Sequence, residues 1–111
     1  MVSQRDLIQK RKIFFNFPDS NSIIIHFKSI EHEKCPVLQK YVRAKTVISG
    51  YFMQTISTNP PQTKICTISQ TDFGGSLPKA MVSSLASKAP KDWVKNLTKG
   101  LELLKSKEEK E

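Results

Sequence analysis

The chain has 111 residues, 38% of them apolar and 25% charged, with a net charge of +8 from 18 basic and 10 acidic side chains. That length suits one small domain, which removes only about two-thirds of its unfolded surface from water; no apolar run approaches the ~20 residues of a membrane-spanning helix. Cys35 and Cys66 stand 31 positions apart, with no C-x-x-C and no suitably spaced histidines, which excludes a disulfide scaffold and a zinc site and leaves two reduced thiols as the expectation.

The opening MVSQRDLIQKRKIFF lacks the apolar stretch and small-residue cleavage site of a secretory signal. Asp6 and the strand-like run after it argue against a mitochondrial presequence, so a cytoplasmic location is expected, peripheral to membranes. The sequon Asn96-Leu97-Thr98 is then expected to stay unmodified. The basic excess is compatible with nucleic acid or an anionic membrane surface. It is spread along the chain, however, with Lys10-Arg11-Lys12 the sole basic triplet. Without an RNP-like or helix-turn-helix pattern, a general solvated basic surface is expected and no nucleic-acid partner.

In chain order, residues 5–17 are rich in β-branched and aromatic side chains, and Pro18-Asp19-Ser20-Asn21-Ser22 supplies turn chemistry. SIIIHFKSI, residues 22–30, reads as the returning strand of a hairpin. His32 to Pro36 is a polar connection, and residues 37–56 again have strand composition, with Gly50 expected to mark a bulge or a division of the strand. Asn59-Pro60-Pro61-Gln62 reads as a loop and residues 63–71 as the last strand. Beyond Gly75 the apolar period changes from two to 3.6: Val82, Ala86, Ala89, Trp93, Leu97 and Leu104 share one arc of a helical wheel, opposite Lys88, Lys91, Lys95, Lys99 and Glu102. Pro90 is expected to kink or divide this helix, and residues 106–111 to form a charged flexible tail. Four or five antiparallel strands followed by one long helix is an α+β arrangement.

The junction TDFGGSLPK, residues 71–79, contains two letter patterns of catalytic groups. Asp72-Phe73-Gly74 spells the magnesium-binding signature of a kinase, but the glycine-rich loop, the strand lysine and the H-R-D loop are missing. Ser76-Leu77-Pro78-Lys79 spells S-x-x-K, but S-D-N and K-T-G are missing and nothing is placed to activate the serine. The residues instead suit a corner. Gly74-Gly75 permits positive φ, Ser76 is expected to cap the helix, and Pro78 to sit in its first turn. No enzyme activity and no cofactor are expected.

The corner and the helix after it, D-F-G-G-S-L-P-K followed by A-M-V-S-S-L-A-S-K-A-P-K-D-W-V-K-N-L, resemble the end of a START domain, the lipid-transfer domain related to the steroidogenic acute regulatory protein. Ser3-Gln4-Arg5-Asp6-Leu7-Ile8 resembles the S-x-R-D-hydrophobic strand opening of that family. Cys35-Pro36 through Tyr41-Val42-Arg43-Ala44 to Ser49-Gly50 resembles its P…V-R-A…S-G segment. The resemblance implies a helix-grip fold, in which a curved antiparallel sheet surrounds a hydrophobic tunnel and the C-terminal helix closes it. It also implies the function: binding one lipid, a sterol, phospholipid or relative, and carrying it between membranes. A complete domain of this family is about twice as long, so residues 1–105 are expected to be its C-terminal half, with self-association following from the missing part of the cavity wall. The alternative is a non-catalytic interaction or membrane-surface module derived from a truncated domain.

By the same resemblance, Arg11 matches a cavity-facing arginine that contacts the ligand's polar head and pairs with an acidic residue; that acidic residue has no counterpart here, so a buried Arg11 would be uncompensated. Ile13 and Phe15 extend the same strand face, and Val82, Leu85, Ala86 and Ala89 are expected to line the tunnel from the helix. Arg43 is expected to be structural. Trp93 and Leu97 are expected to anchor the helix, and His26 and His32 to be incidental.

Overall fold

The computed structural model describes residues 3–110. The chain divides into two units, residues 1–75, which hold every strand among the described residues, and residues 76–111, which hold the helix. The strands are β1 (Gln4–Asp6), β2 (Gln9–Phe15), β3 (Ser22–Ser29), β4 (Tyr41–Arg43), β5 (Lys45–Thr58) and β6 (Pro61–Asp72). Strands β2, β3, β5 and β6 form an antiparallel sheet in the order β2-β3-β5-β6, and β1 and β4 form a short parallel pair. An α+β chain with an antiparallel sheet and one C-terminal helix is therefore what the residues build.

The hairpin between β2 and β3 closes as its turn residues dictate. The Asp19 carboxylate accepts from the Asn21 amide at 2.9 Å and from Ser22 Oγ at 2.8 Å. The Phe17 amide donates to the Ser22 carbonyl at 3.1 Å, and Ser22 is buried. The expected single strand over residues 5–17 is instead interrupted at Leu7-Ile8, because the chain changes partner there: β1 pairs with β4, whereas β2 pairs with β3.

Gly50 neither bulges nor divides its strand. It lies in register between His26 and Ile68, and the irregularities of β5 fall between Thr46 and Ile48 and between Thr55 and Ser57. What requires glycine is closeness: a Cβ there would stand 2.8 Å from the Ile25 carbonyl oxygen of β3. The expected loop at residues 59–62 is also shorter than its proline content suggests, since Pro61 already opens β6 and pairs with Thr58.

The helix, α1 (Lys79–Glu109), is one continuous element with Pro90 inside it, so proline does not divide it; Pro90 simply lacks the N–H that would bond the Ala86 carbonyl. Ser76 does not cap it. Pro78 occupies the N-cap position with no side-chain cap bond, and its carbonyl receives the Met81 and Val82 amides at 3.0 and 3.2 Å. The reason is local, since a residue preceding proline is pushed out of helical conformation and Leu77 precedes Pro78. At the other end the helix runs on through Glu109, over most of the stretch read as a tail, because Lys105 to Glu109 are nearly all good helix formers.

Candidate functional site

Antiparallel register places directly opposed residues on the same face of a sheet, so each face can be followed across all four strands. One face has three rows. The first is Arg11, Phe27, Ser49 and Ser69; the second Ile13, Ile25, Tyr51 and Thr67; the third Phe15, Ile23, Met53 and Ile65. Arg11 is the only charged side chain in these rows. It sits over the Phe27 ring, 6.0 Å from its centroid, and Phe27 packs edge-on against Tyr51 at 5.3 Å. Among the described residues Arg11 makes no ion pair, and it is exposed, so the burial that would leave its charge uncompensated does not arise.

From the Arg11 row the apolar rows extend for about 14 Å at 3.4 Å per residue. Phe15 is 68% exposed and Ile13 43%, so this is an open apolar field with a cation at one end. The expected residues Arg11, Ile13 and Phe15 are thus brought together on one strand face. Ile23, Ile25, Phe27, Tyr51 and Met53 complete that face and were not singled out from the sequence; period-two alternation counted outward from the Asp19 turn would have found the first three.

In the helical unit, Val82, Leu85, Ala86 and Ala89 follow i, i+3, i+4, i+7 spacing and so share one side of α1. Val82 is half-buried, whereas Leu85, Ala86 and Ala89 are exposed. Trp93 and Leu97, further along, are half-buried as well.

A second constellation holds the strand unit together. The Arg5 guanidinium donates to the carbonyls of Phe73 and Gly74 at 3.2 and 2.9 Å and to that of Ser3 at 2.6 Å. Gly74 and Gly75 have φ of 64° and 62°, as the corner reading requires, and the Asp72 carboxylate accepts from the Gly74 amide at 2.9 Å. A Cβ on Gly75 would lie 2.9 Å from Arg5 Nη2, and one on Gly74 would lie 3.3 Å from Val42 Cγ1. Asp6 takes a two-pronged bond from Arg43, Nε–Oδ1 2.8 Å and Nη2–Oδ2 3.3 Å. Arg43 Nη2 also donates to the carbonyls of Cys35 and Pro36. The hydrogen bond from Arg43 holds the Asp6 carboxyl below the usual carboxylate range, with partial desolvation opposing it, and Asp6 in turn raises Arg43. Three short motifs, residues 3–8, 41–44 and 72–75, therefore meet at one corner, and Arg43 has the structural role expected of it.

A pocket of about 760 Å³ lies elsewhere, between Ile8, Ile30, the connection from Glu31 to Val37, and Lys45. None of the residues expected to contact a ligand lines it. Among the described residues no cluster of His, Cys, Asp and Glu is arranged to hold a metal ion.

A sequence profile of the START domain matches residues 2–107, nearly the whole chain. The chain belongs to the START domain family. It is 28% identical over 101 residues to bovine StAR-related lipid transfer protein 5, covering 91% of this chain and 46% of that protein. Mouse START domain-containing protein 10 is 36% identical over 98 residues, which are 85% of this chain and 32% of that protein. In three dimensions the crystal structure of human STARD10 aligns with a TM-score of 0.66 at 33% identity, over 81% of this chain and 36% of that one. The chain thus spans less than half the length of the START relatives it matches. The corner built by Arg5, Asp6, Arg43, Gly74 and Gly75 gives the START-like motifs at residues 3–8, 41–44 and 72–75 a physical role in holding the strand unit together.

Proposed function

We propose that this START chain binds a single lipid and serves its transfer between membranes, with the apolar rows beside Arg11 as the lipid-contacting surface. The observation that carries the reading is the layout of that face: one cation in a row with two serines, then two rows that are apolar or aromatic but for Thr67 at the β6 end. That order matches a molecule with a polar head and an apolar body. Each methylene taken from water contributes about 0.8 kcal/mol, so ten of them favour binding by about 8 kcal/mol before ordering costs. Arg11, which makes no ion pair among the described residues, offers a planar set of donors to a phosphate, carboxylate or hydroxyl head. The tunnel part of the reading assigns the α1 side bearing Val82, Leu85, Ala86 and Ala89 to closing over the ligand; its support is family membership and the helical spacing of those side chains. Membrane contact is transient in this reading, and the location cytoplasmic.

The test compares two isoleucines on opposite faces of the sheet. Binding of a soluble fluorescent acyl probe, below its micelle concentration, is titrated with the unmodified chain, Ile25→Asp and Ile68→Asp. The expected result is weakening by about tenfold or more for Ile25→Asp, since a carboxylate then lies in the apolar rows, and little change for Ile68→Asp. Equal effects of the two, or no binding by the unmodified chain and no lipid in its solvent extract, would leave the interaction-module alternative in its place.

A further inference from the structure

The opposite face of the sheet has a different character, and its cations are grouped. Following the same register, Lys10 opposes Lys28, and Lys12 opposes His26 in the next row. Phe14, Ile24, Phe52 and Cys66 form the row after that, with Ile68 beside Gly50. Cross-strand neighbours stand about 5 Å apart and successive rows about 7 Å. Three lysines and a histidine therefore occupy a patch of about 5 by 7 Å, and all four are exposed. The rows that contain Lys10, Lys12 and Phe14 include no carboxylate; the carboxylate on this face of β6, Asp72, lies at the far end of the strand and accepts from the Gly74 amide. Like charges directly opposed across a ladder destabilise a sheet, so the Lys10–Lys28 pair is a local cost that folding does not explain. An external anion relieves it.

We propose that this face, on the far side of the sheet from Arg11, is a docking surface for an anionic lipid bilayer. Charge complementarity gives the partner's sign, and the apolar row gives its kind. Phe14 lies one row from Lys12, whose ammonium sits 4.9 Å from its ring centroid, and Ile68 is 59% exposed. A bilayer surface accepts both features, phosphates for the lysines and the headgroup boundary for any apolar side chain. Single-stranded nucleic acid wants exposed aromatic platforms for stacking. Of the two rings in this row, however, Phe14 already has the Lys12 ammonium against it and Phe52 is half-buried, and the more open side chain is the aliphatic Ile68. The surface goes beyond the lipid-binding reading, which uses the other face and does not depend on it.

The experiment is sedimentation with phosphatidylcholine vesicles, with and without one-third phosphatidylserine, at low and high salt. The variants are Lys10→Glu, Lys10→Glu/Lys28→Glu and the charge-matched helix pair Lys95→Glu/Lys99→Glu. The unmodified chain is expected to bind only the anionic vesicles, the double sheet variant to lose about tenfold or more, and the helix pair to lose much less. Lys10→Glu carries a second readout. It turns the opposed lysines into an opposite-charge pair, so its thermal midpoint is expected to rise while vesicle binding falls, a combination that misfolding does not produce. Equal losses for the sheet and helix pairs would reduce the effect to net charge and overturn the proposal. So would equal binding to neutral and anionic vesicles, or tighter binding to single-stranded RNA than to anionic vesicles.

Discussion

Replacing Gly75 with alanine should be costly for two separable reasons, and a thermodynamic cycle with Arg5 separates them. The backbone at Gly75 has φ of 62°, where a Cβ costs about 1–2 kcal/mol. The same Cβ would lie 2.9 Å from Arg5 Nη2, displacing the atom that donates to the Gly74 carbonyl at 2.9 Å. At this half-exposed site that bond is worth about 1 kcal/mol. Gly75→Ala is therefore expected to cost about 2–3 kcal/mol, read from urea unfolding followed by circular dichroism. In an Arg5→Ala background the steric part disappears, and the same substitution should cost only the backbone part, a coupling of about 1 kcal/mol. Gly75→Asn tests the remainder, since asparagine tolerates left-handed backbone; it should cost about 1 kcal/mol with Arg5 present and close to nothing without it. Equal costs of Gly75→Ala in the two backgrounds, within about 0.3 kcal/mol, would refute the claim that Arg5 and Gly75 share one space.

Gly50→Ala should destabilise by about 1–3 kcal/mol, because the new methyl meets the Ile25 carbonyl at 2.8 Å and backbone must move to admit it; an unchanged urea midpoint would mean that β3 and β5 separate there freely. The Asp6 carboxyl is held below its unfolded value by Arg43, so its contribution is present above about pH 4 and is lost as pH falls through the lowered value. Thermal midpoints measured against pH should show that acid-side loss, and Asp6→Asn should lower the neutral midpoint and flatten it. Ala86→Trp should block uptake of the fluorescent acyl probe while leaving the circular dichroism intact, and undiminished uptake by the folded variant would remove that side of α1 from the ligand's surroundings. With Phe15 68% exposed and Ile13 43%, the 111-residue chain should self-associate through its apolar sheet face; in sedimentation velocity Phe15→Lys should shift it toward monomer, and a concentration-independent monomer for the unmodified chain would contradict this.

The fold was readable where side-chain chemistry acts locally. The isoleucines at positions 23–25 favour a strand whatever they pack on, Asp19 closes its own turn, and the 3.6 period after Gly75 has no strand equivalent. The parts that were not readable depend on partners distant in sequence. The interruption at Leu7-Ile8 exists because β1 finds β4, and nothing in those two residues announces it. Gly50 looked like a bulge because only the register of β3 shows the carbonyl lying over it. For the site, alternation along one strand linked Arg11 to Ile13 and Phe15. The companions Tyr51 and Met53 needed the pairing of β3 with β5, which composition does not carry. Likewise Lys10 and Lys28 are ordinary surface lysines until the hairpin sets them opposite each other.

The clasp between Arg5 and the carbonyls of Phe73 and Gly74 spans 68 and 69 positions, and that separation orders events in time. Closing a flexible loop of that size costs about 4 kcal/mol in chain entropy, more than two part-exposed hydrogen bonds return. The clasp therefore cannot initiate folding. It closes only after the hairpins β2-β3 and β5-β6 have drawn the two ends together, and it should be among the first features to open. During synthesis the strand unit stays unlatched until Gly75 has left the ribosome. Amide hydrogens at the corner should accordingly exchange faster than those along the β5-β6 ladder, the longest in the sheet.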